Sequence, residues 1–163
     1  KKRRESLLDE WKGYHKTVIK RSDVVMHDAP GRRMRSGVYA GYDADRPTKN
    51  LDATLHEIAP HTPTTVHRHS WHAIEFIESG SGWTEIDGVR HDCKPWDAIH
   101  IPAWSWHRSG NDGTQTARSM TYSSEPQRWT PGHALIEDPG PQDETTRPPR
   151  PPRSPPPNGR EAL

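Results

Sequence analysis

The sequence of 163 residues holds one cysteine, Cys93, and one phenylalanine, Phe76. A lone cysteine excludes an intramolecular disulfide, which fits a reducing compartment. No apolar run approaches the roughly 20 residues that a membrane-crossing helix needs, and no signal-type apolar stretch follows the basic start Lys1 to Arg4, so the chain reads as soluble and cytoplasmic. An excess of charge of one sign is missing too. Lys+Arg 23 against Asp+Glu 22 leaves +1, and no general field draws in nucleic acid or an anionic membrane. With only 29% hydrophobic residues, the whole length cannot pack into a core, and one compact domain with polar flanks is expected. What the chain has in excess is histidine, 11 in all, and tryptophan, seven.

Three regions differ in texture. In residues 1–49, Leu7, Leu8, Trp11, Tyr14 and Val18 recur at helical spacing among Glu5, Asp9, Glu10, Lys12 and Lys16. They predict an amphipathic helix over Arg4 to Val18, followed by loops around one short strand near Gly37 to Tyr42. Residues 50–125 break into short alternating runs, Leu51 to Ile58, His72 to Ile77, Gly82 to Ile86, Ala98 to Ile101 and Thr116 to Tyr122. Turn residues separate them at Ala59 to Pro63, Ser79 to Gly82, Asp87-Gly88, Pro95 and Gly110 to Gly113, the pattern of an all-β sandwich or barrel. Residues 126–163 lose this pattern, and nine of the 17 prolines fall between Pro139 and Pro157. Such a segment favours extended polyproline II and reads as a tail or linker, or as an arm laid across a partner subunit.

His67 and His69 stand two apart, so in an extended segment both imidazoles share one face. His107 ends the run Ile101 to His107, and only a closed barrel would bring it to the first pair. Three neutral imidazoles on one divalent metal leave positions open for water, dioxygen or substrate. The H-x-H pair taken alone fits a histidine-rich surface strand as well. Its context decides: Val66 to Gly88 resembles the first cupin motif, with the glycine hairpin Gly80-Ser81-Gly82. Pro95 to Asn111 resembles the second, with Asp97, Pro102 and His107 in their places.

Within the cupins, the sequence resembles the gentisate and salicylate 1,2-dioxygenases through His67-Arg68-His69-Ser70, Ala73-Ile74-Glu75-Phe76-Ile77, Gly80-Ser81-Gly82, Pro102 to His107 and Gly110-Asn111. The likeness covers roughly residues 50 to 125. It implies a double-stranded β-helix (jelly-roll) cupin barrel and a metal held by His67, His69 and His107. Fe(II) is the first choice of metal, with Mn, Ni, Cu or Zn as alternatives. The glutamate ligand that many cupins add is replaced by Ala73. The implied reaction is oxidative cleavage of a small hydroxylated or aminophenolic ring that chelates the metal beside dioxygen. Rivals are another metal-dependent cupin chemistry (a diketone, thiol or flavonol oxygenase, an isomerase, a decarboxylase) or a non-catalytic small-molecule binder. The resembling enzymes carry two cupin domains in one chain, so a homodimer or higher homo-oligomer is expected here.

Departures from the family carry further expectations. Glu75 stands where the dioxygenases hold an arginine for the substrate carboxylate, and strand parity points it into the barrel. It is read as a substrate contact or a base, with a role behind or on the metal and a solvent-facing position as alternatives. Ser109 replaces a second histidine. Arg108 is expected to neutralise Glu75, to hold an anion at the pocket mouth or to sit at the surface. Trp104 and Trp106 are expected to line the entrance or to belong to the core, and His56, His61, His72 and His100 to be structural or superficial, with closure over the pocket as the alternative for His61. Cys93 is assigned to a turn.

Overall fold

The computed structural model describes residues 18–41, 48, 50–129, 131–143 and 145–148. The helix expected over Arg4 to Val18 falls, but for its last residue, outside them. The described residues form twelve strands: β1 (His27–Ala29), β2 (Met34–Ala40), β3 (Asp52–Ile58), β4 (Thr62–Pro63), β5 (Arg68–His69), β6 (Ala73–Ser79), β7 (Gly82–Ile86), β8 (Val89–Cys93), β9 (Ala98–Ile101), β10 (His107–Asn111), β11 (Ala117–Ser123) and β12 (Ile136–Glu137). One short helix, α1 (Pro126–Trp129), follows β11. All strand pairs are antiparallel, in a six-stranded sheet of order β1-β2-β3-β11-β6-β9, a four-stranded sheet of order β4-β10-β7-β8, and the pair β12-β5. This is a double-stranded β-helix barrel, and its two larger sheets enclose the site.

The five runs expected from alternation appear as β3, β6, β7, β9 and β11. Two strands were hidden by their polarity. The segment Gly110 to Gly113, expected to be a turn, begins inside β10, and Cys93, expected in a turn, ends β8 and is buried. The amino-terminal region also contributes more than one strand. Both β1 and β2 extend the large sheet, and Val24 and Met26 press so closely on Gly37 that a Cβ there would lie 2.6 Å from the Met26 sulfur. Beneath this cover Leu55 is buried on the outer face of β3.

Close approach of the sheets is written in small residues. Gly80 takes a φ of +87° in the hairpin between β6 and β7, a conformation that side chains disfavour. Gly110 lies against the Trp83 indole, so that a Cβ would come within 2.3 Å of the ring.

The described part of the proline-rich region is a strap on its own barrel rather than a free tail. β12 pairs with β5, Ser70 donates its N–H to the Leu135 carbonyl, and Gln142 bridges both the N–H and the carbonyl of Val66 at 2.6 and 2.8 Å. The strap thus satisfies backbone groups along the edge that carries His67 and His69. Among the described residues no helix is long and apolar enough to cross a membrane.

Candidate metal centre

His67 and His107 face each other in an isolated antiparallel bridge. Each donates its backbone N–H to the other's carbonyl, at 3.0 and 2.8 Å. Two residues on, the His69 carbonyl accepts the Trp104 N–H at 2.6 Å, which ties the loop before His107 to the strand bearing the histidine pair. Trp104 takes a φ of +67° to make that turn. The result is three imidazoles on one side of two bonded segments. Ring centroids are 4.3 Å apart for His67 and His107, 4.8 Å for His69 and His107, and 5.8 Å for His67 and His69. One nitrogen from each lies within 4.8 Å of the other two.

Each ring is oriented by a local carbonyl. Nδ1 of His69 meets the Trp71 carbonyl at 2.8 Å, Nδ1 of His107 the Ser105 carbonyl at 2.9 Å, and Nδ1 of His67 the Thr65 carbonyl at 3.4 Å. A carbonyl only accepts, so Nδ1 carries the proton and Nε2 keeps its lone pair. That is the support a histidine needs before it can serve a metal. Trp71 stacks on His69 at 4.5 Å with ring planes 3° apart, fixing the second angle of that side chain.

Burial keeps the three rings neutral. His107 is lowered to about 4, first by burial and then by the neighbouring His69 and by Arg32. His67 is lowered well below its ordinary value by burial, His107, Arg32 and His69. Burial also lowers His69. At neutral pH the cluster therefore offers unprotonated nitrogen donors, the form in which imidazole binds Zn, Fe, Cu or Ni. The donor set fits a divalent cation of that group, with His67, His69 and His107 as the residues to hold it.

The histidines open on a cavity of about 250 Å³. Cavities of about 150 Å³ hold a benzene ring, so a singly ringed, substituted molecule has room. Glu75 lies on the cavity wall and is 6% exposed. Its Oε1 accepts from Ser119 at 2.7 Å, and its Oε2 from Ser109 at 3.2 Å and Thr84 at 3.3 Å. Ala73, on the same face of β6, leaves the space beside the imidazoles open.

Other residues are placed differently from the expectations. Arg108 is 3% exposed, and its Nε pairs with Glu85 at 3.0 Å rather than with Glu75, while Nη1 reaches the Thr146 carbonyl at 2.7 Å. Trp104 is exposed, and its ring stacks on Arg68, whose guanidinium sits 4.5 Å from both Trp104 and Trp106. Arg68 is held in turn by Glu137 of the strap at 2.6 Å. His72 and His100 are exposed and meet each other at 3.1 Å. His61 is exposed as well.

Several cavity residues escaped the sequence reading. His56, Asp52 and Thr54 share the inward face of β3, and Arg32 reaches in from the turn Pro30–Arg32. The alternation in Asp52 to Ile58 carried the signal for β3, since every second residue there faces the cavity. Nothing local marks Arg32, which acts from far away in the chain.

Residues 54–123 match the cupin domain family. A gentisate 1,2 dioxygenase from Aquipseudomonas alcaligenes is 38% identical over 68 residues, 41% of this chain and 20% of that protein. A 5-nitrosalicylic acid 1,2-dioxygenase from Bradyrhizobium is 42% identical over 50 residues, 31% of this chain and 24% of the relative. The chain thus spans about a fifth to a quarter of the length of these curated relatives. Among solved structures, salicylate 1,2-dioxygenase from Pseudoaminobacter salicylatoxidans superposes with a TM-score of 0.57 at 14% identity, over 83% of this chain and 34% of that one. A polyketide cyclase from Streptomyces resistomycificus gives 0.58 at 19% identity over 72% and 94%. These likenesses share the barrel with proteins of different chemistry. The match to the cupin domain family thus covers residues 54–123, less than half of the chain, and the barrel architecture agrees with it.

Proposed function

We propose that this protein is an Fe(II)-dependent dioxygenase that cleaves a small hydroxylated or aminophenolic aromatic compound. The observation that carries the reading is the set of three neutral imidazoles, each with Nδ1 turned to a carbonyl, opening on a cavity of single-ring size. The dioxygenase names of the sequence relatives support it. Iron, when bound by His67, His69 and His107, would supply a centre at which an aromatic chelate and dioxygen exchange electrons without an external reductant.

The chain's own residues do the rest. The carbonyls of Thr65, Trp71 and Ser105 hold the rings in one tautomer, so no side chain reorganises when a ligand arrives. Trp71 and Ile101 give the cavity wall apolar surface for an aromatic ring. Glu75, fixed by three hydroxyls, presents an anion where a ligand's hydroxyl or amine would donate and where a carboxylate would be repelled.

Anaerobic loading with Fe(II), followed by oxygen uptake with a panel of hydroquinones, catechols and aminophenols, tests the proposal. Stoichiometric iron and uptake with ring-opened product are expected, and His107→Ala should lose at least tenfold in both iron retention and rate. Iron retained with no uptake across the panel would identify a binding module or a different cupin chemistry instead.

A further inference from the structure

His56 is a half-buried titratable group outside the three-histidine cluster. It projects from β3 into the cavity that His67, His69 and His107 share, and its Nδ1 is enclosed without a hydrogen-bond partner. An enclosed polar nitrogen left unpaired is costly, so its presence in a folded barrel calls for a compensating role. Its surroundings are polar on every neighbouring strand. Ser36 of β2 and Ser119 of β11 stand directly across from it. Ser119 donates to Glu75 of β6 at 2.7 Å, and Asp52 lies on the same face of β3, where Ser123 and Thr54 donate to its carboxylate.

Two opposing influences act on this ring. Burial lowers its affinity for a proton, and the carboxylates of Glu75 and Asp52 raise it. Among the described residues Glu75 is held by hydroxyls and by no arginine or lysine. Burial is the larger influence, so the imidazole favours its neutral form, and the carboxylates of Glu75 and Asp52 share the cavity wall with it and favour the charged one.

We propose that His56 accepts the proton of a hydroxylated aromatic ligand as that ligand binds at the three-histidine site, with Glu75 and Asp52 holding the imidazolium that forms. The inference rests on the reading of the cavity as a site for such ligands. The ligand's O–H bond breaks, its electron pair stays on oxygen as an aryloxide, and the proton joins the imidazole. No oxidant or reductant is consumed in that step. His56 thus keeps within the cavity a proton that would otherwise pass to solvent, and ligand binding is nearly independent of buffer protonation.

Calorimetric titration of the zinc-loaded protein with catechol, in two buffers of different ionisation enthalpy, counts the protons released. The wild-type protein should release almost none, and His56→Gln should release about one more per ligand bound. Catechol dimethyl ether, which has no proton to give, should show no difference between the two proteins. Nitrogen-15 spectra of the histidines in the wild-type complex provide a second readout that needs no variant, with His56 moving to the imidazolium range when catechol binds. Equal proton counts in the two proteins, or a His56 that stays neutral in the complex, would overturn the inference while leaving oxygen uptake by the iron-loaded protein untouched. Failure of every hydroxylated ring to bind would overturn this inference and the dioxygenase reading together.

Discussion

At the scale of single residues, the three clustered histidines were legible because their spacing and the flanking Pro102 and Gly80-Ser81-Gly82 are local patterns. Glu75 was legible by parity alone, since a strand that turns Ala73 inward turns Glu75 inward as well. Arg108 was not. Its neighbour His107 faces the cavity, so the guanidinium takes the other face of β10, where Glu85 and the Trp83 ring receive it at 3.0 and 4.9 Å. His56 was missed because an inward histidine on a strand looks like any other until its neighbours across β11 are known. The charge of Glu75 gives the sharpest residue-scale prediction. Glu75→Gln keeps the hydroxyl contacts but removes the anion, and Glu75→Arg reverses the sign. Selectivity for carboxylated over neutral phenols should rise at least tenfold from wild type to the arginine variant, about 1.4 kcal/mol in differential binding. The glutamine variant should fall between them. Competition assays on paired substrates would decide it, and an unchanged preference in both variants would remove Glu75 from the specificity argument.

At the scale of elements, alternation revealed the strands with one apolar face and concealed those without. β10 reads His-Arg-Ser-Gly-Asn, yet His107, Arg108 and Asn111 are buried, because its polar groups are paired inside the fold. Asn111 gives its amide to the carbonyls of Ile58 and Gln115 at 3.0 and 2.7 Å. Hydrophobic patterning cannot find a strand that is buried through hydrogen bonds. The strap was hidden for a similar reason: prolines forbid a core of its own, but they do not forbid lying along another strand's edge. Gln142 is its tightest attachment, since one side chain satisfies both backbone groups of Val66, next to His67. Gln142→Ala should cost about 1–3 kcal/mol, the worth of two net hydrogen bonds. The Val66 amide should lose its protection against hydrogen exchange, and metal should leave faster because the edge carrying His67 and His69 is no longer held. Unchanged exchange at Val66 with an unchanged melting temperature would show that the strap rests on the barrel without supporting it.

At the scale of the whole molecule, the site places a pH-sensitive load on folding. His107 has a folded value of about 4 against 6.5 in the unfolded chain, with burial as the first cause, and His67, His69 and His56 are lowered in the same direction. Between those two values the unfolded chain binds more protons than the folded one, so stability rises with pH through that window. Above about 6.5 the rings are neutral in both states and the penalty is absent. As pH falls from about 6.5 towards 4, the metal-free protein should lose on the order of 3 kcal/mol from His107 alone, and more from its neighbours. Protons and metal compete for the same lone pairs, so a bound divalent cation should move the acid transition to lower pH. Urea unfolding of metal-free and zinc-loaded protein between pH 7.5 and 4.5 separates the two effects. The metal-free midpoint should fall steeply below about pH 6.5, while the loaded midpoint holds until zinc is released. A flat metal-free profile would mean that the imidazoles are solvated rather than buried, and a barrel that leaves them in water could not keep water from an aromatic ligand bound among them.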